Sequence, residues 1–79
     1  MNEIDKLRVL IPHWIEHNNE HASEFRHWAG QAGDASADIL AAADAMARVN
    51  EHLVSALEKL GGALAWSLDH GEHDHDQPG

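Results

Sequence analysis

The sequence predicts an all-α chain: an antiparallel helical hairpin that dimerises into a four-helix bundle, a short coiled coil. Three observations carry this expectation. Apolar residues recur at alternating spacings of three and four through two long stretches. A turn bracketed by Gly30 and Gly33 separates the stretches. The third is size: a chain of 79 residues, 13 of them Ala, has too little apolar bulk to enclose a core of its own.

The first stretch runs from about Glu3 to Trp28. Ile4, Leu7, Ile11, Trp14, Asn18, His21, Phe25 and Trp28 follow the three-four spacing, which marks the seam of a packed helix. Asn2 is placed to cap its start, with Glu3 and Asp5 set favourably against the helix dipole. Pro12 lacks an N–H and crowds the preceding turn, so a kink or a fresh helix start is expected there. The seam keeps its register across the proline, which favours either of these over a long loop.

Beyond the turn, Asp34 reads as the N-cap of the second helix and Asp38 lies in its first turn. Leu40, Ala43, Ala47, Asn50, Val54 and Leu57 form its seam, widened by Ile39, Met46, Leu53 and Leu60. Gly61-Gly62 is the natural stop, although Leu64 and Leu68 would continue the seam if the helix ran on. A hairpin turning near Gly33 pairs residues whose numbers sum to about 68. Asn18 then meets Asn50, Trp14 meets Val54, Phe25 meets Ala43, and His21 meets Ala47. An Asn18/Asn50 layer would set the register at some cost in stability. Residues 1–68 thus form one helical domain, and 69–79 (Asp69 to Gly79) an acidic, His-rich tail without apolar periodicity, expected to be disordered.

Composition excludes whole classes of function. The formal net charge is −9, from 14 acidic and 5 basic side chains, which argues against nucleic acid and anionic membrane as partners. Cysteine is absent, which removes disulfides, thiolate zinc sites, iron–sulfur sites and a cysteine nucleophile. No apolar run reaches the ~20 residues of a membrane span and no signal segment is evident, so a cytoplasmic location is expected. Catalysis has no support. Glu24 and His27 supply one Glu-x-x-His pair, but a di-iron bundle needs a second on another helix, and there Glu51 and His52 are adjacent.

What remains are eight histidines. His13, His17 and His21 stand four residues apart, and each such step advances ~6 Å and turns ~40° on a helix. All three therefore share one face. An i, i+4 imidazole pair can chelate one ion, and His17 with His21 reads as the core of such a site, because His21 on the seam needs a partner. His13 lies ~12 Å from His21 along a straight helix, so it would join through a distortion at Pro12 or across a dimer axis. All-nitrogen sites suit Ni, Cu, Zn or Co alike. His70, His73 and His75, interleaved with Asp69, Glu72, Asp74 and Asp76, could gather divalent ions loosely. His27 and His52 lie off the seam and read as solvated, as does Glu16; Glu20 could support an imidazole from behind.

The run His13-Trp14-x2-His17-x3-His21 resembles the nickel-binding motif of the CooJ-type accessory proteins, which deliver nickel to carbon monoxide dehydrogenase. The resemblance spans the helical body, and a His-rich tail follows in both. It implies a cytoplasmic homodimer with a coiled-coil body, Ni(II) held by His13, His17 and His21, and Trp14 beside the ion. It further implies transfer to an apo-metalloenzyme client, carbon monoxide dehydrogenase or another nickel or cobalt enzyme. With only three histidines, this tail differs from the family's in storage capacity. Two other readings stand beside it: a structural coiled-coil module whose histidines are incidental, and a general zinc or cobalt buffer.

Overall fold

The computed structural model describes residues 2–64; Met1 and residues 65–79, including the tail and its three histidines, lie outside the described residues. Helix α1 spans Glu3–Ala29 and helix α2 spans Ser36–Leu60, joined by a turn that closes with one 3-10 turn at Gly33–Ala35. The two helices pack against each other as an antiparallel hairpin, and there is no strand among the described residues. Neither helix is long and apolar enough to cross a membrane.

Local chemistry explains each boundary. Asn2 caps α1 as expected, its Oδ1 accepting the Asp5 N–H at 2.8 Å. The helix continues through Pro12, so no fresh start occurs there. Proline removes only one helical donor, and its neighbours hold the rest of the ladder. Asp34 does not cap α2. It sits inside the 3-10 turn, and the residue preceding α2, Ala35, makes no side-chain capping bond. At the far end Gly61 adopts φ +111°, its N–H bonding the Glu58 carbonyl at 3.1 Å while Gly62 N–H bonds the Leu57 carbonyl at 2.9 Å. This is a Schellman stop, and it ends α2 where the glycine pair indicated.

The register is the expected one. Asn18 Nδ2 donates to Asn50 Oδ1 at 3.0 Å, and Asn50 Nδ2 donates to Asn19 Oδ1 at 2.8 Å and to the Ile15 carbonyl at 3.3 Å. Asn50 is only 8% exposed, so these bonds satisfy a polar group that would otherwise be costly to bury. Arg26 pairs with Asp44 at 3.6 Å near the turn. At the open end, Arg8 donates to the Gly62 carbonyl at 2.6 Å and the Gly61 carbonyl at 3.0 Å.

The seam itself differs from the expected one in half of its rows. On α1 the row Ile11, Asn18, Phe25 faces α2, but its companion is Ile15, Ala22, Ala29, with Ile11, Ala22 and Ala29 buried. Trp14 and Trp28 are 43% and 61% exposed and stand outside the hairpin. On α2 the row Ala43, Asn50, Leu57 is inside, accompanied by Ile39, Met46, Leu53 and Leu60, while Leu40 and Val54 are exposed. The cause is size. Ala43 has no exposed surface, and the small Ala22 and Ala29 opposite let the backbones approach as indoles would not. Each helix is left with a second apolar row that no other described residue covers.

Candidate metal centre

The motif lies in the middle of α1, on the flank away from Ile15. Helical periodicity brings the His13 and His17 rings to 5.2 Å between centroids, tilted by 32°. That pair, rather than His17 with His21, is the one drawn together. Both rings are half-buried. His21 turns to a different partner: its Nδ1 lies 3.3 Å from Glu24 Oε1, and its ring stacks on Phe25 at 6.3 Å. Its side chain is 40% exposed, so it is neither buried nor orphaned, and the expectation of an unpartnered seam imidazole is corrected.

Trp14 is the residue after His13 and three before His17, exposed on the same flank as His21. His27 meets the Trp28 indole edge-on at 5.1 Å, and both His27 and His52 are exposed, as are Glu16 and Glu20. Among the described residues, no three His, Asp or Glu side chains gather where one ion could touch all of them. A single hairpin therefore offers a bidentate imidazole pair. Any further donors must come from water, another copy, the residues outside 2–64, or a rotation of His21 away from Glu24.

Sequence reasoning missed the asparagine cluster's reach. Asn50 binds the carbonyl of Ile15 and the side chain of Asn19, the helical turn that carries His17. The signal was present as the consecutive pair Asn18-Asn19, of which only the first fits the seam. The profile of a domain of unknown function, DUF8180, matches residues 7–60, which takes in both helices and the whole motif. The chain belongs to the DUF8180 family. No curated protein and no solved structure matches it significantly.

Proposed function

We propose that this DUF8180 chain is a nickel-binding metallochaperone. It holds Ni(II) through His13, His17 and His21 and passes it to an apo-metalloenzyme such as carbon monoxide dehydrogenase. The observation that supports this best is the His13–His17 pair, two imidazoles 5.2 Å apart on one rigid helix beside an exposed indole. Such a pair chelates a borderline divalent ion without reorganising the backbone. Nickel, rather than zinc or cobalt, comes from the resemblance of the motif. The test is calorimetric titration with Ni, Co, Zn and Cu at fixed pH, on the full chain and on one lacking Asp69 to Gly79. A tight nickel site that survives the deletion is the expected result. Loss of all binding on deletion would leave the helical histidines structural, and equal affinity for zinc or cobalt would favour the buffer.

The carrier works as a homodimer in this reading. Leu10, Trp14 and Trp28 form an exposed row along α1, a surface that a second hairpin would cover to make a four-helix bundle. The same contact would bring a second motif near the first and supply donors that one chain lacks. Light scattering after size exclusion should report twice the 8.7 kDa chain mass at micromolar concentration. A folded monomer there would refute the bundle.

A further inference from the structure

The hairpin has a second exposed flank, on the far side of the seam from Trp14. There an open groove of about 410 Å³ is lined by Ile15, Asn19, Ala47, Asn50, Glu51 and Val54. We propose that this groove docks a basic amphipathic α-helix of another protein, one carrying Lys or Arg at heptad spacing beside an apolar stripe.

The shape of the surface points to a helix. Leu40, Ala47 and Val54 stand seven residues apart on α2, and all three are exposed. A row at that spacing is the kind against which a further helix packs along its length. Ala47, between two larger residues, leaves a hole at the centre of the row for a bulky side chain. The polar floor makes no demand on the occupant. Asn50 spends both amide hydrogens inside the hairpin, on the Ile15 carbonyl and Asn19 Oδ1, while its own oxygen accepts from Asn18.

Charge decides which helix. Asp44, Glu51 and Glu58 are also seven residues apart, all exposed, and line the outer edge of the apolar row. In a coiled coil, that edge is where charge pairs between helices set partner choice. Across the groove, the α1 edge carries the exposed Glu16. The arginines of this flank are already engaged, Arg8 with the Gly61 and Gly62 carbonyls and Arg26 with Asp44. Arg48 lies ~60° further round α2 than Glu51. A helix entering the groove thus meets carboxylates on both sides, which pair with cations and repel a second set of acids. Another copy of this chain does not meet that need. It has five Lys and Arg, and no two of them stand seven or fourteen residues apart. Leu10, Trp14 and Trp28 lie on the other flank, so the docked helix and the proposed homodimer do not compete. The inference depends on neither that dimer nor nickel.

The test uses the full chain without metal and three labelled three-heptad peptides, read by fluorescence anisotropy. One peptide has Leu at positions a and d and Lys at e and g. The second has Glu for every Lys, and the third is a scramble of the first. Salt is held at about 0.15 M, where exposed charges more than ~8 Å apart are largely screened. The Lys peptide should bind saturably and gain helical signal, with at least about tenfold higher affinity than either control. Val54→Asp should weaken it about tenfold, and Glu51→Lys/Glu58→Lys should reverse the preference toward the Glu peptide. Glu3→Lys/Glu24→Lys makes the same charge change away from the groove and should leave affinity within about twofold. All five positions are exposed, so each variant should keep the far-ultraviolet helical signal of the parent. Equal binding of the scramble would overturn the proposal, leaving only a diffuse attraction to an acidic chain. So would equal binding of the Glu peptide, or a loss in the Glu3/Glu24 variant as large as in the Glu51/Glu58 variant. A lower light-scattering mass for the Glu51/Glu58 variant without peptide would assign the groove to a second copy instead.

Discussion

His17→Ala is expected to abolish tight nickel uptake by the helical body, lowering affinity more than about 100-fold. Loss of a residue that merely supports a metal ligand costs 10- to 100-fold, and His17 would be a ligand itself. Its position makes the effect larger than that of either neighbour. His17 belongs to both i, i+4 pairs of the motif, with His13 and with His21, so its removal leaves two imidazoles ~12 Å apart along the helix. Without His17, no i, i+4 imidazole pair remains on the helix to chelate an ion. The geometry also ranks the neighbours. His13 already faces His17, whereas His21 must leave Glu24 before it can bind. His13→Ala should therefore cost more than His21→Ala, and Glu24→Gln should change affinity little or raise it. His27→Ala and His52→Ala should be silent, both side chains being exposed and outside the pair. Calorimetry on this series, with residues 69–79 deleted, gives the order directly. The same affinity for His17→Ala as for the parent would end the assignment of the motif as the site.

The partial legibility of the fold has a physical cause in the same helix. The three-four spacing of apolar residues can be met by two overlapping sets that share Ile11, Asn18 and Phe25. One adds Trp14 and Trp28; the other adds Ile15, Ala22 and Ala29. Hydrophobicity favours the tryptophans, which is why the spacing alone points to them. Packing between two bare helices favours the small residues, and the buried Ala22, Ala29 and Ala43 show which requirement prevails. Register, by contrast, was readable because two asparagines at matching levels can satisfy each other only in one alignment. The Asp34 expectation failed for a local reason. Gly33, at φ +58°, leads into a 3-10 turn, and α2 begins only after it. For the proposed metal centre, spacing placed the histidines on one face, but which two meet depends on rotamers, and the Glu24 carboxylate is the partner that His21 takes.

Asn50→Ala should lower the stability of the hairpin by about 2 kcal/mol, more than substitution at any exposed position of α2. Three hydrogen bonds end on this one side chain, from Asn18, to Asn19 and to the Ile15 carbonyl. Removal leaves those groups at a partly buried interface, where water can reach some of them, so the cost is that of imperfect replacement rather than of complete loss. For a domain of this size the melting temperature should fall by roughly 10 °C. The double change Asn18→Leu/Asn50→Leu tests what the layer is for. Matched apolar side chains should recover most of the lost stability, since no polar group is left unpaired between them. They should also relax the register, because leucines pack at several alignments where asparagines pair at one. The expected outcome is a melting temperature near that of the parent with broadened or multiple species in size exclusion. Because Asn50 holds the turn from Ile15 to Asn19, nickel affinity should fall in the double variant even where stability is regained. A stable, single-species variant with parental affinity would show that the asparagine layer sets neither the register nor the metal centre.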